Sequence, residues 1–252
     1  MLLNDITPLI LTFNEASNIR ETISRLSWAS KIVVVDSFSS DETLETISEF
    51  PNTVLVQRKF DNHTNQWNFG LRQIDTTWTL TMDADYRCTE SLANELETLI
   101  PKFPAYSIRI RYAIVGKPLR GSLYPPRVSL FESSKFRYVQ DGHTQLLDVE
   151  GIETGQLRHG FLHDDRKSLG HWVKSQYKYA DLEAQKLMTA SKLGWKDRIR
   201  RCYVLAPVLT LFYCLFYKML LLDGWRGFYY TFQRVFAELL LSMVLLERKL
   251  KE

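Results

Sequence analysis

The chain has 252 residues, 45% of them apolar and 24% charged, with a formal net charge of +3. That is room for one large α/β domain with a proper core plus an appendage, and the charge is too small to point to nucleic acid by itself. Three cysteines, Cys88, Cys202 and Cys214, have neither an even count nor metal-ligand spacing, which argues against a disulfide framework or a zinc module and suits a reduced compartment.

The N-terminus, Met1 to Ile6, lacks the basic start and long apolar core of a signal peptide, so the first, larger part of the chain is expected in the cytoplasm. Thr7 to Phe13 is an apolar run that predicts a buried strand. Asn18 to Leu26 places Ile19, Ile23 and Leu26 on one helical face, with Ser17 or Asn18 as N-cap. Lys31 to Asp36 holds the β-branched run Ile32-Val33-Val34-Val35. A helix is expected over Asp41 to Phe50, a strand at Val54-Leu55-Val56 and a helix over Asn65 to Ile74. The strand Trp78 to Asp83 follows, then a helix capped by Ser91. This rhythm implies a mostly parallel sheet covered on both faces, whose ligands sit beyond the carboxyl ends of the strands.

After Pro101 the pattern changes. Tyr106 to Val115 alternates like a half-exposed strand, and Arg127 to Phe131 and Phe136 to Val139 read as short strands. A long helix follows His163, with Asp164 or Asp165 as its N-cap. Leu169, Val173, Tyr177, Ala180, Ala184 and Leu187 form a stripe expected to pack in a core. Beyond the basic segment Lys196 to Arg201 come two apolar stretches, Cys202 to Leu222 and Phe228 to Leu246. The first is interrupted by Pro207 and Lys218, the second by Gln233, Arg234 and Glu238.

Three strand ends carry polar residues: Thr12-Phe13-Asn14-Glu15, Asp36-Ser37 with Ser40-Asp41-Glu42-Thr43, and Asp83-Ala84-Asp85. Taken singly, each is also turn or cap chemistry, and Asp41 reads as a cap. Parallel strands would set all three tips along one edge. Residues two apart in an extended segment project to the same side, so Asp83 and Asp85 form an acidic pair. A hard divalent ion such as Mg²⁺ or Mn²⁺, holding a diphosphate, would neutralise it. Asp36 suits the acceptance of base or ribose donors.

In these segments the chain resembles the family 2 inverting glycosyltransferases with a GT-A fold, over roughly residues 6–190. Within that family it is similar to bacterial lipopolysaccharide core and exopolysaccharide glucosyltransferases. The resemblance implies a Rossmann-like GT-A domain, taken over 1–195, and the apolar stretches beyond it are read as C-terminal amphipathic or apolar helices over 196–252. It implies a nucleotide-sugar donor, usually a UDP-sugar. Thr12 and Glu15 match positions that touch the nucleoside, and Asp36 the one that reads the base. Asp83 matches the ribose- and metal-side carboxylate, and Asp85 the metal ligand. Gln66 and Asn68 match the loop and helix start near the diphosphate and sugar. Arg58, Lys59 or Arg72 would supply that loop's basic residue. His163 matches the late His that is a third metal ligand in some GT-A enzymes.

An inverting displacement needs an acceptor base and no covalent nucleophile. Asp141 in Asp141-Gly142-His143-Thr144-Gln145 is the candidate, with His143 orienting, although Asp141-Gly142 also reads as a tight turn and relatives often carry Glu where Thr144 stands. Arg127 reads as a surface residue or as a contact for acceptor phosphate. The aromatic C-terminal stretches beside Arg198, Arg200 and Arg201 suit helices lying in a membrane interface rather than spanning it or pairing in a dimer. The expectation is a metal-dependent hexosyltransferase, peripheral at the inner face of the cytoplasmic membrane. It would act on a lipid-linked glycan or a lipopolysaccharide or exopolysaccharide precursor, without nucleic acid, and homo-oligomerisation is left open. The rivals are a polyprenyl-phosphate glycosyltransferase and a non-catalytic nucleotide-sugar-binding protein.

Overall fold

The structure is a computed structural model that describes residues 3–141, 144–190 and 192–251, with Asp141 and Thr144 followed in the backbone only. Its contacts divide into two compact units, Met1–Gly116 with Leu123–Arg166 and Lys117–Ser122 with Lys167–Glu252.

The first unit begins β1 (Ile6–Thr12), α1 (Ile19–Ser24), β2 (Ile32–Asp36), α2 (Thr43–Ser48), β3 (Thr53–Gln57), α3 (His63–Leu71) and β4 (Trp78–Asp83). It continues with β5 (Tyr86–Cys88), α4 (Glu90–Thr98), β6 (Ala105–Ile114), β8 (Arg127–Glu132), β9 (Tyr138–Asp141), β10 (Thr144–Leu147) and β11 (Gly155–His163). The label β7 belongs to the two-residue strand Lys117–Pro118 of the other unit. The near-continuous apolar runs of β1 and β2 are explained by burial on both faces. Strand alternation sends Ile32 and Val34 into one core and Val33 and Val35 into another, where they meet Trp67, Phe131 and Tyr138.

The sheet runs β3-β2-β1-β4-β8-β6-β11-β5. β1 lies between β2 and β4 and is parallel to both, with Thr12 opposite Asp36 and Leu11 opposite Asp83. The three polar tips therefore end at one level. The sheet is mixed rather than mostly parallel, because β8 runs antiparallel to both β4 and β6. No helix separates β6 from β8, and parallel neighbours need a long crossover.

The caps of two later helices differ from expectation. Thr89, not Ser91, caps α4 by accepting from Leu92 N at 3.1 Å. Ser168 caps α5 (Leu169–Thr189), accepting from His171 N at 3.2 Å, so neither Asp164 nor Asp165 does. Asp164 is instead buried against Arg87 at 2.6 Å, and also accepts from Gly116 N at 3.1 Å.

In the second unit, α5 is followed by α6 (Trp195–Arg200), α7 (Leu205–Phe212), a π turn at Tyr213–Tyr217, a 3₁₀ turn at Leu220–Asp223 and α8 (Trp225–Lys251). Ala180, Ala184 and Leu187 pack on Leu241, Val244 and Leu245. The predicted α5 stripe is a core only in this second half, since Leu169, Val173 and Tyr177 are exposed. The interrupting charge of α8 has a partner: Arg200 holds Glu238 at 2.9 Å and Glu183 at 3.2 Å. Among the described residues no helix is long and apolar enough to cross a membrane.

Candidate active site

The loops after β1 and β2 are sewn together. Asn14, at φ +54°, takes Ser40 N on its Oδ1 at 2.8 Å, while its own N–H donates to Ser39 Oγ at 2.8 Å. Glu15 N donates to Thr43 Oγ1 at 2.8 Å, and Asp41 accepts from Thr43 N and Ala16 N. Partial burial pushes the Asp41 carboxyl up, but the Thr43 hydroxyl and these backbone N–H donors outweigh it and hold the carboxyl below its ordinary range; the N-cap of α2 is Glu42, not Asp41. Glu15 Oε2 accepts from Asn18 Nδ2 at 2.9 Å, and Thr12 Oγ1 is buried with no hydrogen-bond partner among the described residues.

Asp36 is fully buried, and both its oxygens are occupied. One accepts from Ser39 Oγ, the other from Ser39 N at 2.9 Å and Gln57 Nε2 at 3.0 Å. Gln66 is equally committed: its amide nitrogen donates to Ser37 Oγ and Arg58 O, and its oxygen accepts from Arg58 Nη1 at 2.6 Å. Asn68 forms a two-bond clamp on Tyr138, donating to its carbonyl at 2.9 Å and accepting from its N–H at 2.8 Å. In this structure all three side chains are hydrogen-bonded to protein groups around the strand tips. Arg58 forks onto Asp61 at 2.8 and 2.9 Å and holds that carboxyl far below its usual range, and Arg72 lies over the Phe69 ring.

Asp83 and Asp85 stand at the tip of β4. Asp85 Oδ2 lies 3.0 Å from His163 Nε2, because β11 pairs His163 with Tyr86 of β5. Burial alone would lower the His163 pKa, yet the adjacent Asp85 carboxylate outweighs it and the net shift is upward. Tyr86 and Tyr112 flank the imidazole, with centroids at 5.2 and 4.3 Å. Asp83 faces Arg127, expected from the sequence as a surface residue or a contact for acceptor phosphate: Arg127 Nη1 is 3.7 Å from Asp83 Oδ2. Both line a small cleft with Trp67, Thr81, Tyr86 and Tyr138. Burial and the nearby Asp83 raise the Tyr86 phenol well above its ordinary range.

The donor set can be tested against a divalent cation. Among the described residues no group of three or more His, Cys, Asp or Glu side chains is arranged to hold a metal. Two carboxylates completed by substrate phosphates are, however, how Mg²⁺ is commonly bound. Asp83 and Asp85 therefore fit an ion that arrives with a diphosphate, not a resident protein-only cage. Asp141 ends β9, opposite Thr144 of β10, and its side chain is not described. His143 lies outside the described residues.

The family profile for glycosyl transferase family 2 matches residues 9–146, more than half of the chain. The chain belongs to glycosyl transferase family 2. The matched span holds the C-terminal part of β1 from Leu9, the β2 loop and Asp83-Ala84-Asp85, within the segments on which the sequence resemblance rests. This family 2 chain is 25% identical over 205 residues to the lipopolysaccharide core biosynthesis glycosyltransferase LpsC of Rhizobium meliloti, covering 74% of this chain and 73% of that one. It is 28% identical over 116 residues to an uncharacterized glycosyltransferase of Rickettsia bellii, covering 44% of this chain but only 39% of that protein's length. Among solved structures it is similar to the Pyrobaculum calidifontis mannosyltransferase PcManGT in complex with GDP-Man and Mn²⁺, with a TM-score of 0.53, 16% identity and coverage of 95% and 86%. It is also similar to Staphylococcus aureus TarS in complex with UDP-GlcNAc, with a TM-score of 0.50, 15% identity and coverage of 82% and 72%. At those identities the likeness is one of fold, here the GT-A fold.

Proposed function

We propose that this family 2 chain is a metal-assisted inverting glycosyltransferase. It would move a hexose from a nucleotide-sugar, of which a UDP-sugar is the first candidate, to a lipid-linked glycan such as a lipopolysaccharide or exopolysaccharide precursor. The observation that carries the reading is the alignment of three polar strand tips at one sheet edge, with Asp83, Asp85, His163 and Arg127 gathered at one end of it. The UDP-GlcNAc and the GDP-Man with Mn²⁺ in the TarS and PcManGT structures support the donor class. The LpsC relative alone supports the lipopolysaccharide acceptor.

In this reading Thr12, Glu15 and the loop braced by Asp36, Gln66 and Asn68 receive the nucleoside. Asp85 and Asp83, with His163 beside Asp85, would hold Mg²⁺ or Mn²⁺ together with the donor diphosphate, and the ion would supply Lewis-acid stabilisation of that leaving group. Arg127 adds a planar cation to the same phosphates. Asp141, on a hairpin fastened to α3 by Asn68, takes the acceptor hydroxyl proton with His143 orienting it. The acceptor oxygen then bonds to the anomeric carbon as the bond to the diphosphate oxygen breaks, inverting the centre in one displacement. Work at the inner face of the cytoplasmic membrane would bring this site to a lipid-linked acceptor.

Incubating the full chain with UDP-glucose and Mn²⁺ and measuring UDP release tests the reading. Release abolished by Asp85→Ala is expected. Wild-type turnover by that variant overturns the metal role, and donor binding without turnover in the wild type makes the protein a binding module.

A further inference from the structure

Helix α8 is amphipathic in an unusual sense. Along its middle the charged residues Arg234 and Glu238 lie toward the unit's interior, Glu238 clasped by Arg200, while Arg226, Glu247, Arg248, Lys249 and Lys251 stand near its ends. Its outer face is apolar. Tyr229, Phe232, Phe236, Leu239, Met243 and Leu246 follow one another at spacings of three and four, and every one is exposed, Phe232 by 58% and Met243 by 65%. Such spacing keeps side chains on one stripe of a helix. The α7 helix packed beside it leaves Leu205, Leu209 and Phe212 exposed as well, and the π turn adds Phe216 and Tyr217. Contiguous apolar surface on this scale marks an interaction face.

The charge around it selects the partner. Between Lys192 and Arg234 the chain has eight Lys or Arg and two Asp or Glu; with Arg200 held by Glu183 and Glu238 and Arg234 turned inward, the remaining cations are Lys192, Lys196, Arg198, Arg201, Lys218 and Arg226. One of those acids, Asp223, already pairs with Arg120 at 3.4 Å. A second copy of the chain would bring the same basic segment to the same face and repel it, whereas an anionic phospholipid surface attracts both the cations and the aromatic rings. The Tyr and Trp residues set along the face, Tyr213, Tyr217, Trp225 and Tyr229, have the amphipathic rings that settle at a headgroup boundary. No described helix is long and apolar enough to span, so contact is along the helix sides.

We infer that the outer faces of α7, the π turn and α8 form one docking surface for an anionic bilayer, on which the second unit lies without crossing. This deepens the membrane part of the proposed function, and it is tested separately from the chemistry. The full chain is floated with vesicles of pure phosphatidylcholine and of phosphatidylcholine containing phosphatidylglycerol. Expected is flotation with the anionic vesicles only, reduced at least tenfold in the double variant Phe232→Ser/Met243→Ser. A second variant, Arg198→Glu/Arg201→Glu, leaves the apolar face intact and should shift binding to lower salt. Circular dichroism and UDP affinity should match the wild type in both variants, so lost flotation with retained UDP binding isolates the surface. Absent flotation, equal flotation with neutral vesicles, or a dimer in solution that Phe232→Ser/Met243→Ser converts to monomer overturns the inference. Failure of UDP binding with flotation intact would overturn the catalytic reading alone.

Discussion

Arg127 Nη1 lies 3.7 Å from Asp83 Oδ2, across the antiparallel pair of β8 and β4. The ladder sets Leu80 opposite Leu130 and Thr79 opposite Phe131, and continuing that register brings residue 127 opposite residue 83. Opposite charges facing each other across a strand pair are mutually stabilising. In the proposed function a guanidinium held there would meet the donor diphosphate, which the acidic pair alone would repel.

Arg127→Ala is therefore expected to weaken UDP binding. Loss of a charge-assisted hydrogen bond is worth about 1.5–3 kcal/mol, or roughly ten- to more than a hundredfold in affinity. Arg127→Lys should recover only part of it, since an ammonium lacks the planar fork. Isothermal titration with UDP and Mn²⁺ measures both, and unchanged affinity in Arg127→Ala would remove the residue from the site.

The contact between His163 and Asp85 predicts a pH signature. The His163 pKa is raised in the folded chain, so its charged form contributes stability that is fully present below the ordinary value of about 6.5. That contribution is lost as pH rises through the raised folded value. Thermal melting of the metal-free protein from pH 5.5 to 9 should show the wild type losing stability relative to His163→Gln over that window. Parallel curves for the two proteins would refute the linkage. Because a protonated imidazole cannot ligate, Mn²⁺ with UDP should bind more weakly at the acid end.

The nearly complete βα succession of the first hundred residues was legible in the sequence because each element carries its own local pattern. Ile32 to Val35 is β-branched, and Trp78 to Met82 is apolar up to its terminal acid. The short strand β5, the pairing of β8 with β4 and the contact of Arg127 with Asp83 were not legible. They join residues far apart in the chain, and nothing local to Pro125-Pro126-Arg127 announces a partner forty-odd residues earlier. The acidic tips were found from residue type and spacing, whereas the commitment of Asp36, Gln66 and Asn68 to other protein groups depends on tertiary geometry. The outward stripe of α8 has a visible three-and-four spacing, but the near-uniform apolarity of the segment hid which side faces inward.

Asn68 gives a prediction about positioning. Its amide makes both of its bonds to the Tyr138 backbone, at the start of the hairpin that carries Asp141. Asn68→Ala leaves a part-buried N–H and carbonyl unmatched, at a cost of about 1–3 kcal/mol. Urea unfolding should register that loss. If Asp141 is the base, turnover should fall with it while UDP affinity changes little. Asn68→Asp keeps the acceptor but loses the donor, and should lie between Ala and wild type in stability. An equal loss of UDP affinity and turnover in Asn68→Ala would place the amide at the donor instead of behind the hairpin.

The three thiols should separate cleanly by reactivity. The thiolate is the reactive form. Burial pushes the Cys88 thiol up to about 12, against an ordinary value near 8.5, and burial also raises Cys214. Cys202 is exposed. At pH 8 a disulfide reagent such as dithiobis(nitrobenzoate) should modify one thiol per chain rapidly, and Cys202→Ser should abolish that phase. The remaining two should react only at the rate of unfolding, so all three titrate together in denaturant. A fast phase that persists in Cys202→Ser would mean that the face of the sheet holding Cys88, or the turn holding Cys214, opens to solvent in the native chain.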